Sequence, residues 1–203
     1  MRFWLVGNGP SLNRTPLAGW IGDDYSIGVN KVAYFFPNTK WRPSFYVKVD
    51  HSEFGQDDWR DEVMPFIESE IPCLLWDGFR QELGERHNVT WVTRCEHHGE
   101  PPTSKKRAIH WHEPFCTAYN SISIMAQWAV KLGATEIRLV GCDGNFTDGK
   151  DDHFMPYYES VDVGYKDRNN SHVIAAHQLI KDSCPVPVLD FTLGGGIGLF
   201  PNG

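Results

Sequence analysis

The sequence predicts an α/β domain built on a mostly parallel sheet of about seven strands, with helices on both faces. Three observations predict it. Short apolar runs recur along the chain, as strands buried on both faces require. Stretches of helical spacing alternate with them, most clearly the helix at 121–132 feeding the strand at 136–140, which implies parallel strands with right-handed crossovers. Several runs end in Gly, Asn or Asp, and in a parallel sheet such positions line the carboxyl edge, where open α/β folds bind ligands.

The elements follow in order. Phe3 to Val6 is the first strand, and it runs into Gly7-Asn8-Gly9-Pro10-Ser11. The glycines let a ligand approach the main chain, Pro10 suits a first helical turn, and Ser11 suits an N-cap. The turn is expected to leave N–H groups free for a phosphate, although it matches neither dinucleotide fingerprint nor P-loop. A plain βα turn is the alternative. Gly22 to Asp24 is a turn, and Tyr25 to Val29 is a second strand ending in Asn30. Ser44 to Val49 is a third, ending in Asp50. Asp57 to Ser69 has helical spacing, with Trp59, Val63, Phe66 and Ile67 on one face. Pro72 to Trp76 and Val89 to Val92 are the fourth and fifth strands. Residues 96–114 read as a long loop. Ser121 to Leu132 is a strong helix, with Asn120 or Ser121 as its N-cap and Gly133 at its close. Glu136 to Val140 is the sixth strand and ends in Gly141-Cys142-Asp143. A second long loop spans 144–165. Asn170 to Lys181 reads as a helix, Val186 to Phe191 as the last strand, and the tail is Gly-rich.

The 203 residues fit a single domain, 1–203, with a substantial core. Hydrophobic residues make up 41% and charged residues 22%, the balance of a globular chain. A net charge of −7 argues against non-specific nucleic-acid binding, and Lys105-Lys106-Arg107 is the only basic run. The first residues lack a signal-peptide core, and no apolar run reaches the length of a membrane span. Five dispersed cysteines fit reduced thiols, so a cytoplasmic location is expected.

Two clusters stand apart. Cys95, His98, His112 and Cys116, with His97 and His110 as alternatives, have spacings a structural zinc accepts, although the pattern is degenerate. Asp143, Asp148, Asp151 and Asp152 with Asn145 form an acidic loop that reads as a solvated turn or as a Mg²⁺ or Ca²⁺ holder.

Gly7-Asn8-Gly9-Pro10-Ser11-Leu12, Gly28-Val29-Asn30, Pro43-Ser44-Phe45-Tyr46-Val47, the stretch Ala134 to Asp143, His153-Phe154-Met155-Pro156-Tyr157-Tyr158 and Asp190 to Gly195 resemble the bacterial MptE-like proteins. These share a Rossmann-like domain with flagellin-glycosylation accessory (Maf) proteins. The first half also resembles the glycosyltransferase family 42 sialyltransferases, which open on G-N-G-P-S-L. That resemblance implies a CMP-sugar donor, inversion at the anomeric carbon and no required cofactor. It implies donor-nucleotide contacts at Asn8, Asn30 and Ser121; Gly7, Gly9 and Ser11 of the turn, Asn120 at the helix N-terminus, Asp143 at a strand end and Tyr157 are further candidates for the nucleotide. Asp50 stands where that family has an Asn, and a carboxylate there repels phosphate unless a cation or proton intervenes. The family base is a His in N-S-H-x-x-x-H. Here Asn170-Ser171-His172 is followed by His177, one residue later than the pattern. Tyr157 and Tyr158 are loose counterparts of tyrosines that assist the leaving phosphate.

Sugar transfer needs donors for the leaving phosphate, a base for the acceptor hydroxyl and exclusion of water. His153, His172 and His177 are the candidate bases. The leading expectation is a sialyltransferase-like enzyme for surface glycans, with a nucleotide-sugar donor and a glycan acceptor. The first alternative is an MptE-like diphosphokinase using ATP and Mg²⁺ held by Asp50 and Asp143; no Lys or Arg is apparent beside the Gly-rich turn to clamp its phosphates. The second is a non-catalytic nucleotide- or sugar-binding module. A homo-oligomer is left open.

Overall fold

The computed structural model describes residues 1–49, 59–93, 95, 109, 111, 115, 120–144, 154, 163–194 and 196–203, the side chains of 163–172 excepted. Seven strands form one sheet: β1 (Arg2–Val6), β2 (Tyr25–Val29), β3 (Phe45–Lys48), β4 (Cys73–Trp76), β5 (Val89–Val92), β6 (Glu136–Val140) and β7 (Val188–Asp190). Their order is β5-β4-β3-β2-β1-β6-β7, and every pairing is parallel. The chain winds outward from β1 to β5, then returns to place β6 on the other side of β1. The switch point therefore lies between β1 and β6, where such sheets open a crevice beyond their carboxyl ends.

Alternation along each strand divides the core in two. Phe3, Leu5, Ile27, Val29, Val47 and Leu74 face α4 (Ser121–Lys131) and α5 (Val163–Ser183), meeting Ile124, Met125, Ala129 and Ile180. Trp4, Val6, Tyr46, Cys73 and Leu75 face the opposite layer, which holds α1 (Leu17–Ile21), α2 (Trp59–Glu68) and α3 (Arg80–Leu83). Helices thus cover both faces of a Rossmann-like α/β domain. That is why the strands read as continuous apolar runs rather than as alternating ones.

The expected strands are all present. Differences fall on helices without a clear apolar period. Pro10–Arg14 and Asn30–Asn38 are 3-10 helices, and α1 and α3 are short. The last helix starts at Val163, inside the stretch expected to be loop, because the mostly polar sequence of its first turns carries no periodic apolar signal. Ser11 is not an N-cap. Gly9 caps the Pro10–Arg14 helix, and Pro10 takes the first position, where its missing N–H costs nothing.

Candidate functional site at the switch point

Beyond Val6 the β1 backbone keeps pairing with β6. Gly7 N–H donates to the Val140 carbonyl at 2.9 Å, and Gly9 N–H to the Gly141 carbonyl at 2.8 Å. The glycines make this approach feasible. A Cβ at Gly7 would stand 2.5 Å from the Gly141 oxygen, and one at Gly9 would fall within the Asp143 carboxylate. Gly141 itself has φ +67°. Asp143 fills the mouth of the turn. The Ser11 hydroxyl donates to its Oδ2 at 2.7 Å, and Ser11 N–H lies 3.3 and 3.4 Å from its two oxygens. The expectation of free N–H groups is therefore corrected: those of Gly7, Gly9 and Ser11 are spent on β6 and on Asp143. Burial pushes the Asp143 carboxyl above the usual carboxylate range, against the pull of the Ser11 bonds and of Arg14. Arg14, whose guanidinium donates to the Leu193 carbonyl at 3.2 Å, supplies the cation beside the turn that the sequence did not disclose.

Next to this turn the ends of β1 and β2 stand level, since Val6 pairs with Gly28. Asn8 Nδ2 donates to the Val29 carbonyl at 3.1 Å, which fixes the amide and leaves its Oδ1 buried without a partner among the described residues. Asn30 takes the left-handed conformation, φ +48°, which Asn tolerates better than most residues. Its Nδ2 lies 3.4 Å from Ser121 Oγ, and its Oδ1 is likewise buried and unpartnered. Asn120 is the N-cap of α4, its Oδ1 accepting from Ser123 N–H at 3.0 Å, and Ser121 is the first helical residue. The structure thus brings Asn8, Asn30, Asn120 and Ser121 together, beside Gly7, Gly9, Ser11 and Asp143. An unsatisfied buried acceptor costs about 1–3 kcal/mol, and here two lie on adjoining strand ends.

His177 lies in α5, only 2% exposed. Its Nδ1 is 2.8 Å from the Val173 carbonyl, so Nδ1 carries the proton, and Nε2 is buried without a partner. Burial lowers its pKa, while Asp190 pulls it up; the Phe200 ring packs 6.1 Å away. No described contact brings it to Asn8, Asn30 or Asp143. Asp50, His153, Tyr157, Tyr158, Asn145, Asp148, Asp151 and Asp152 lie outside the described residues, as does the side chain of His172. So do His97, His98, His110, His112 and Cys116; among the described residues no group of His, Cys, Asp or Glu is placed to hold a metal. Phe154 is described and is anchored on the turn. Its N–H donates to the Asn8 carbonyl at 2.9 Å, its carbonyl accepts from Asn13 Nδ2 at 2.8 Å, and its ring packs 5.3 Å from Phe35.

Two further features had no counterpart in the sequence reading. Lys48, the last residue of β3, pairs with Glu62 of α2 at 2.8 Å, with side chains 4% and 1% exposed, and Glu62 Oε1 has no partner. An open groove of about 630 Å³ lies between Leu12–Gly19 and Phe35–Lys40 and is lined by none of the strand-end residues named above. Among the described residues no helix is long and apolar enough to cross a membrane. Cys73, Cys142 and Cys184 are free thiols.

No protein-family model matches the chain, and no curated protein sequence matches it. Solved structures do. A Maf glycosyltransferase from Magnetospirillum magneticum AMB-1 is similar at 15% identity and a TM-score of 0.52, over 94% of this chain and 31% of that one. The sialyltransferase CST-II in complex with a trisaccharide acceptor and CMP is similar at 12% identity and a TM-score of 0.46, over 100% of this chain and 85% of that one. A thiamin pyrophosphokinase from Geobacillus thermodenitrificans is similar at 17% identity and a TM-score of 0.38, over 93% of this chain and 59% of that one. The chain thus spans about three fifths of the pyrophosphokinase and under a third of the Maf protein. At these identities the likeness shows the fold alone, a Rossmann-like α/β domain.

Proposed function

We propose that the crevice at the ends of β1 and β2 binds the nucleotide part of a nucleotide sugar, and that the protein is a sialyltransferase-like glycosyltransferase. One observation carries the reading: the paired, buried, unpartnered oxygens of Asn8 and Asn30. Acceptors in that position call for ligand donors, which ribose hydroxyls and the exocyclic amine of cytosine supply and a phosphate does not. The G-N-G-P-S resemblance and the Maf-like fold point the same way. In such a transfer the acceptor hydroxyl attacks the anomeric carbon as the bond to CMP breaks. A His takes the hydroxyl proton, and the leaving phosphate keeps the electron pair. His153 and His172 remain the proposed bases, because His177 is sealed from solvent.

Calorimetry with CMP, CDP and UMP tests this. CMP is expected to bind without metal, and Asn8→Ala and Asn30→Ala are each expected to weaken it about five- to tenfold, the effect of one good hydrogen bond. No heat with any of the three at millimolar concentration would sink the proposal.

Asp143 favours a second reading. A carboxylate seated in the turn weakens binding of a bare phosphate and favours one bridged by Mg²⁺, as a diphosphokinase using ATP requires. Binding of ATP that appears only with Mg²⁺ would move the assignment there.

A further inference from the structure

α2 is docked on β3 by two contacts in matched spacing. Glu62 and Phe66 stand one helical turn apart, and Lys48 and Tyr46 two strand residues apart, so both pairs meet across the same face. Glu62 holds Lys48, and the Phe66 ring lies flat on the Tyr46 ring at 3.8 Å and 10°. Tyr46 is fully buried, so its ring has a fixed position. From there its hydroxyl donates to the main-chain carbonyl of Asn30 at 2.9 Å. Asn30 is one of two non-glycine residues with positive φ among the described residues, and its side chain faces the crevice through Ser121. A left-handed non-glycine residue persists where its surroundings hold it.

We propose that Tyr46 is a positioning residue, whose hydroxyl holds Asn30 in its left-handed turn and so aims the Asn30 amide at the ligand. This rests on the crevice being the nucleotide site, as proposed above. Tyr46 touches no ligand itself and acts through the Asn30 carbonyl. The chain of contacts from α2 to Tyr46 to Asn30 makes the docking of that helix part of the site's geometry.

The test is Tyr46→Phe, which keeps the ring stack and removes only the hydroxyl. Backbone NMR of the ligand-free protein reads the Asn30 conformation directly, through its carbon shifts and amide coupling. The expected result is that Asn30 and Lys31 signals move away from their wild-type positions while the Phe66 and Glu62 signals stay. CMP affinity is then expected to fall about fivefold, as for loss of one hydrogen bond. An unchanged Asn30 in Tyr46→Phe overturns the proposal, whatever the affinity does. An Asn30 that shifts with CMP affinity unchanged overturns its functional half. Wild-type protein that binds no CMP refutes the nucleotide reading and with it the affinity claim. The Asn30 signals still decide whether Tyr46 holds that turn.

Discussion

Replacing Asp143 by Asn tests how the turn treats a phosphate. Asn keeps an oxygen to accept the Ser11 hydroxyl and removes only the charge. A phosphate oxygen accepting Ser11 N–H would stand about 3 Å from that nitrogen. The Asp143 oxygens already lie at 3.3 and 3.4 Å from it, so the two anions would be about 4–5 Å apart. At an effective dielectric of about 20 their repulsion is about 3–4 kcal/mol. The carboxylate is only partly buried, and solvent and salt reduce this to about 1–2 kcal/mol. Metal-free CMP should therefore bind Asp143→Asn about tenfold more tightly than wild type, while cytidine, which has no phosphate, should bind both equally. Any Mg²⁺-dependent ATP binding should fall in the same variant. The assay is calorimetry at fixed salt with and without Mg²⁺. CMP and cytidine changing in step, or CMP binding weakened, would refute the reasoning. The charge also has a ligand-free signature. The folded carboxyl sits above its unfolded value, so the native state holds the proton more tightly. Its own contribution to stability is then fully present below about pH 4 and is lost as pH rises through the raised value. Asp143→Asn should remove that slope from a urea-midpoint profile.

Breaking the Lys48–Glu62 pair alone, by Lys48→Met, leaves an uncompensated buried carboxylate and should cost about 3–5 kcal/mol, whereas Lys48→Met with Glu62→Leu should return near wild type. Urea denaturation of the three proteins checks this; a single variant within about 1 kcal/mol of wild type would mean that the pair is not sealed from water. His177 gives the opposite pH sign from Asp143. Its folded pKa is lowered, so the stability it allows is present above about pH 6.5 and is lost as pH falls from there to the lowered value. His177→Met should flatten the urea-midpoint profile over that interval, and an unaltered profile would show that the ring protonates in place.

The sheet was legible because strands buried on both faces leave unbroken apolar runs, and the carboxyl edge was legible because those runs stop at Asn8, Asn30 and Asp143. What stayed hidden is what depends on strand order. Gly7 and Gly9 look free in the sequence; their N–H groups are spent only because β6 returns beside β1 after more than a hundred residues. Ser11 and Asp143 are separated by 132 positions and meet for the same reason. Lys48 and Glu62 lie on separate elements, and only the docking of α2 on the sheet buries them together. This changes what the Gly-rich turn does. Its glycines serve the close approach of two strands and a carboxylate, and its Gly7, Gly9 and Ser11 N–H groups already have partners. At these strand ends the groups left with unmet hydrogen-bonding capacity among the described residues are the Asn8 and Asn30 oxygens, and under the proposed function a ligand is selected by the donors it offers them.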